Sequence, residues 1–345
     1  QGGVLALNGN LTAGDRITLR GVGITQAAGM TVDAGNDQIT LDGDDGLVNL
    51  LGLLKTTSSS ASAVTIQDTG LAALGNISAP NGTVNLGTGT GGNRISGALT
   101  QNAGTVVNAA ILTASTSGTI TLNNAANTIG ALGSVRRGGA FSLMDSTGGL
   151  TIIGPVNTGT INNDVTIITS GGDLVLNGVI SATGAGNDVI LVTDQNFINN
   201  AGGAAITTTG GGRYLIYSTD PALNSAGGLA FNFEQFSTTF PLPPAPANVG
   251  NGFLYSAAAP PIAGTTTSGA DLLSAFENSN DRRFRNPSSN PPYEDYGIYY
   301  GASQLGADST LEPAPPAFGL SSGRKKKKNL ADDSSFEAFA DEAAQ

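Results

Sequence analysis

Short apolar–x–apolar runs, each bounded by Gly, Asn or Asp, return at a nearly constant spacing from Gln1 to Ser218. They read as "GDRITLRG" (14–21), "NDQITLDG" (36–43), "GTVNLG" (82–87), "GTITLNN" (118–124), "GAFSLMD" (139–145), "NDVTIIT" (163–169) and "GGDLVLNG" (171–178). Alternation with period two is the strand signal, and the flanking residues supply turns. The leading apolar positions are Ile17, Ile39, Val64, Val84, Ile120, Phe141, Val165 and Val189. The successive steps between them are 22, 25, 20, 36, 21, 24 and 24. Weaker strands fall between them at Val32, Ile95, Ile129, Ile152 and Leu176. A superperiod of roughly 20–25 residues carrying two or more strands predicts a solenoid in which each period is one coil. A two-sheet sandwich would show strands about every 8–12 residues and no superperiod. The expected fold class is therefore all-β: a parallel β-helix of roughly ten coils over 1–218. Its inward set should include Ile17, Leu19, Ile39, Leu41, Val84, Leu86, Ile120, Leu122, Val165, Ile167, Leu174 and Leu176.

Composition fits a narrow, repetitive interior. Aromatic residues make up 6% and charged residues 12% of the chain, so Val, Ile, Leu and Ala must fill the core. The absence of Cys excludes disulfides and thiolate chemistry, and the absence of His removes the commonest general base and zinc ligand. A net charge of −11 argues against nucleic acid as a partner. No apolar run is long enough to predict a membrane-spanning helix. The chain starts in mid-pattern, "QGGVLALNG", and reads as a piece of something longer.

The composition breaks near residue 220. Thirteen of the 15 prolines and every Glu lie beyond it, all seven Tyr lie at or after Tyr214, and ten of the 12 Phe lie at or after Phe231. A solenoid end exposes an apolar interior and unpaired strand edges, so it needs a cover. Residues 219–256 are expected to form that cap, with Tyr214, Tyr217, Phe231, Phe233, Phe236, Phe253 and Tyr255 sealing the last coil. "PLPPAPA" (241–247) is expected to cross it in extended form. Residues 257–345, with Pro pairs, the Lys325–Lys328 run and scattered acids, read as a low-complexity, largely disordered tail.

Few residues suggest chemistry. Asp37, Asp42, Asp44 and Asp45 in "AGNDQITLDGDDGL", and Asp188 in "GAGNDVILV", resemble halves of a calcium-binding nonapeptide. Turn carboxylates bonding backbone N–H groups are the simpler reading; calcium between coils is the sharper one. Asp44 and Asp45 also form an acid pair of the kind that cleaves glycosides. Only seven Lys and Arg precede residue 219, which leaves little to grip an acidic sugar. Arg136-Arg137 reads as a solvated turn, with sulfated-glycan binding as the alternative. No catalytic, cofactor or metal site is expected.

"GGGRYLIYSTDPALNSAGGLAFNFEQF" (210–236) and "GNGFLYS" (250–256) resemble the closing elements of filamentous-haemagglutinin-type secreted adhesins. In these two-partner-secretion exoproteins an "R-[WY]-L-[IV]-Y-S-x-[DN]-P" element precedes a "G-N-G-[FL]-L-Y-S" element. The matching residues are Arg213 to Ser218 with Asp220 and Pro221, then Gly250 to Ser256. The chain before Gly210 matches in style only. The family's amino-terminal secretion domain and a terminal Cys pair are not in the chain. The resemblance implies a secreted or bacterial cell-surface adhesin rod, exported through an outer-membrane transporter and contacting an unidentified host receptor or glycan. Two alternatives stand beside it: a self-associating fibre or matrix protein, and a β-helical polysaccharide-degrading enzyme.

Overall fold

A computed structural model describes residues 2–89, 91–146, 148–158, 163–184, 186, 188–241 and 248–260. The expected tail from residue 261 onward, including Lys325–Lys328, lies outside the described residues, as do residues 242–247 of the Pro-rich stretch. Among the described residues every strand pairing is parallel and the one helical element is a single 3-10 turn, Pro221–Leu223. The chain is a parallel β-solenoid.

One face of the solenoid is a ladder taken in chain order. It runs Leu5–Leu7, Ile24–Gln26, Leu47–Leu50, Leu71–Leu74, Leu99–Gln101, Ile120–Leu122, Phe141–Asp145, Val165–Thr169, Val189–Thr193 and Tyr214–Ser218. Between consecutive rungs the chain makes further strand runs, which pair with their counterparts one coil away. Leu11–Thr12, Thr31–Asp33 and Leu53–Lys55 stack on a second face, and Ile17–Arg20, Ile39–Asp42 and Val64–Gln67 on a third. In the middle coils the two runs fuse into Asn76–Leu86, Val107–Ser115 and Thr128–Arg137. A register shift between Ala79 and Thr83 marks the bend.

Partners on the first face follow the column Leu5, Ile24, Val48, Ala72, Leu99, Ile120, Phe141, Val165, Val189, Tyr214. This register corrects the superperiod taken from sequence. Ile17, Ile39, Val64 and Val84 stand on the third face, whereas Ile120, Phe141, Val165 and Val189 stand on the first. The anomalous step between Val84 and Ile120 is a change of face, not an irregular coil. The repeat itself is three strands per coil.

Inward alternation holds. Eleven of the twelve expected inward residues are buried. Leu19 is half-buried and packs at the margin of the core, because its strand has a neighbour on one side only. Each fully buried Val, Leu or Ile contributes roughly 1.5–3 kcal/mol. Stacking repeats that sum down the columns, so each coil draws its stability from its neighbours.

The ladder does not stop at residue 218. Gly252–Tyr255 pairs directly with Tyr214–Ser218, and Phe233–Gln235 forms the outermost rung beyond it. Of the seven expected sealing aromatics, Phe253 lies inside, edge-on to Phe197 at 6.0 Å and to Phe231 at 5.0 Å, and Tyr255 packs on Phe236 at 5.4 Å. Tyr217 does something different. With Leu215 and Leu254 it forms a second apolar cluster, against which Ile190, Val192, Phe233 and Phe240 pack, and its ring meets that of Phe240 at 5.3 Å. The closing segment therefore covers apolar residues that point away from the main core as well as those in it.

Candidate functional site

The acidic residues singled out in sequence occupy corners. Asp37 ends a turn begun by Ala34, and its carboxylate accepts the Gln38 N–H at 2.7 Å. Asp42, buried at the end of its strand, takes the Arg20 guanidinium from the preceding coil at 2.6 Å and the Gln67 amide from the next at 3.4 Å. Asp44 and Asp45 follow with φ of 43° and 61°, and Asp68 one coil on has φ of 47°. Burial, then the charges of Asp42, Asp45 and Asp44, raise the Asp68 carboxyl above its ordinary value. Among the described residues no group of three or more His, Cys, Asp or Glu is placed to hold a metal ion.

Asp188 is apart from that corner and belongs to a ladder of its own. Its N–H donates to Asp164 Oδ1 at 2.9 Å, and its own Oδ1 accepts the Arg213 N–H at 3.1 Å. Asp173 likewise accepts both the backbone and side-chain amides of Asn196. These carboxylates do bond backbone N–H groups, but across coils rather than within a turn. They hold successive corners in register, a role that local turn rules do not reveal.

Arg136-Arg137 is not a solvated turn. Both residues extend the strand Thr128–Arg137, paired with Val156–Thr158, so alternation turns Arg136 outward and Arg137 inward. Arg137 is 2% exposed, with its guanidinium 5.7 Å from the centre of the Phe141 ring. Its Nη1 donates to the carbonyls of Gly139 and Asp164, while Nε and Nη2 have no partner. Burial pushes its pKa down to about 9. Sequence periodicity held the signal, since Val135 and Arg137 are two apart on one strand.

Asp145, like Asp42, is a buried carboxylate. Burial raises its carboxyl to about 6, against the opposing hydrogen bonds from the Ile129 N–H, the Thr169 hydroxyl and the Ser146 N–H. It stands at the fifth position of its rung, level with Thr169 and Thr193 in the next two. "FSLMD", "VTIIT", "VILVT" and "YLIYS" carry this polar column openly, so it was legible as a fifth-position pattern.

One corner is widened into a groove. The turn from the first face to the second takes two residues after Leu50 and one after Leu74, but five after Gln101 and five after Leu122. The two enlarged turns, each closed by a hydrogen bond to Asn102 O or Asn124 O, bound a groove of about 320 Å³. Gln101, Asn102, Ala103, Gly104, Thr121, Asn123, Asn124 and Ala125 line it. Beneath it Asn127 is fully buried. Its Oδ1 accepts from Gln101 Nε2 and Val107 N, and its Nδ2 donates to Gln101 Oε1, Leu122 O and Met144 O. Asn102 Nδ2 reaches down two coils to Leu50 O at 2.8 Å, and the Thr105 hydroxyl bonds Leu74 O. The floor is thus a satisfied amide network, which fixes the turns before any ligand arrives.

The geometry defines a β-solenoid that carries an uncharged groove at a corner between its first and second faces. Compared with known proteins, the chain matches no family model, no curated protein sequence and no solved structure.

Proposed function

We propose that this chain is the rod-forming and closing part of a secreted or surface-displayed bacterial adhesin of the filamentous-haemagglutinin type. The observation that carries this reading is where the two motif segments meet. "RYLIYS" and "GNGFLYS", well separated along the sequence, supply adjacent parallel strands, with Leu215 opposite Gly252 and Ser218 opposite Tyr255. Arg213 Nη1 also bonds Asn248 O at 2.6 Å, and the Tyr214 N–H bonds Asn251 Oδ1 at 3.0 Å. The motif residues thus form one closing unit, which gives a physical reason for them to occur together.

Export through an outer-membrane transporter suits such a chain. Each coil pairs with the one before it, so folding can advance as the polypeptide emerges. The function is reach and contact, and no catalytic step is part of it. Beads coated with the full chain should adhere to cells or to a conditioned surface more than beads coated with an unrelated protein of equal charge. Equal adherence of the two bead types would contradict the proposal.

A further inference from the structure

We propose that the groove between the turns at 102–106 and 123–127 binds a neutral carbohydrate. This deepens the adhesin reading and rests on it. In a solenoid, per-coil insertions are extruded from an otherwise regular stack, and they are where ligand contacts concentrate. Here two successive coils make the corner with five residues, one more than the turns after Gln26, Asp145 and Thr169 and three or four more than the two coils directly below. The insertion costs chain entropy at each turn, and the buried network under it shows that the enlarged shape is held rather than loose.

The lining selects the ligand class. It contains amides, a hydroxyl and backbone, with no ionisable side chain and no aromatic ring. Among the described residues, Asn102 Oδ1, Asn123 Nδ2 and the Thr121 hydroxyl make no hydrogen bond, and neither do the N–H groups of Ala103, Gly104 and Ala125. Acceptors and donors are therefore offered together within one groove, which matches the mixed donor and acceptor character of sugar hydroxyls. A carboxylate or sulfate would meet no cation there, on a chain of net charge −11. An apolar ligand would strip water from six polar groups without replacing those hydrogen bonds. About 320 Å³ is at the small end of ligand pockets, room for one or two sugar units rather than a long oligomer.

The test titrates the full chain with neutral manno-, gluco- and galacto-oligosaccharides and with a heparin fragment, by calorimetry and saturation-transfer NMR, at about 0.15 and about 0.5 M NaCl. The expected result is binding to at least one neutral oligosaccharide with an affinity unchanged by salt. Asn123→Ala with Thr121→Val should weaken it about tenfold, as expected for losing two such hydrogen bonds, with the melting temperature unchanged. Binding of the heparin fragment alone, absence of binding to every neutral oligosaccharide, or an affinity indifferent to the double substitution would each overturn the proposal. The bead assay separates this from the parent reading. Adherence that survives the double substitution leaves the adhesin intact and removes the groove as its contact. Absence of adherence in both forms removes the adhesin reading, while the titration still decides the groove.

Discussion

Buried Asp145 and buried Arg137 make opposite demands on pH and on substitution. The Asp145 carboxyl sits at about 6 in the folded chain against 3.8 for the free group, so the folded state holds the proton more tightly. Its contribution to stability is present below about pH 4 and is lost as pH rises toward 6. Asp145→Asn removes that component, so the fall in melting temperature from about pH 4 to about pH 6.5 should be shallower in the variant than in the parent. Identical slopes in a thermal melt series would contradict this assignment. Arg137 keeps Nε and Nη2 unpaired in the interior, and burying a cation with part of its hydrogen-bonding capacity unmet is costly. Arg137→Met retains the packing on Phe141 and should stabilise the chain by about 1 kcal/mol or more in urea unfolding, where a loss of that size would show that the guanidinium is satisfied. Neither residue was evident from composition. "VRRGG" reads locally as a turn because Gly follows, yet pairing with Val156–Thr158 carries the strand through Arg137, an instance of tertiary pairing overriding local propensity.

At the scale of the strand and its corner, what was legible was alternation. Ile39 and Leu41, or Val165 and Ile167, point inward because a period of two leaves no other choice once one face is apolar. What was not legible was which face a strand joins. Val64 and Val165 begin near-identical short runs, and only the length of the intervening corner assigns one to the third face and the other to the first. Up to Tyr214–Ser218, the residues between one strand and the next number from one, after Leu74, to twelve, after Leu86, so the face cannot be counted off along the chain. The groove was missed for the same reason: an enlarged corner shows only against the corners stacked below it. Glycine sets the tightest corners. A Cβ on Gly118 would lie 2.6 Å from the Gly97 carbonyl carbon in the coil below, whereas one on Gly92 would meet nothing within 4 Å. Gly118→Ala should cost about 1–3 kcal/mol in urea unfolding while Gly92→Ala stays within about 0.5 kcal/mol. Equal effects at the two sites would show that coils are not stacked this closely at that corner. The closing element makes a further prediction. Phe253 is buried between Phe197 and Phe231, so Phe253→Ala should cost about 3–5 kcal/mol, read as early loss of hydrogen-exchange protection in Tyr214–Ser218 before the first coils. Uniform loss along the chain would mean that the closing strands do not protect their neighbours locally.

Across residues 1–260 as a unit, the apolar columns make the solenoid, and the widened corner at 102–106 and 123–127 offers a place for contact on its exterior. The proposed role follows from that division, since a stack that grows by repetition gives reach, and an insertion on the stack gives a place to bind. The stacking itself is open to direct measurement, because the chain contains no Cys and introduced thiols can be labelled cleanly. Thr25, Thr100 and Thr166 occupy equivalent outward positions on the first face, on its second, fifth and eighth strands. Paired cysteine substitutions carrying spin labels, read by double electron–electron resonance, should give about 14 Å for Thr25 with Thr100 and about 29 Å for Thr25 with Thr166, three and six strand spacings of about 4.8 Å. A distance that doubles when the number of intervening coils doubles is the result the parallel solenoid predicts. Two distances unrelated to coil number, as antiparallel hairpins would produce, would contradict it.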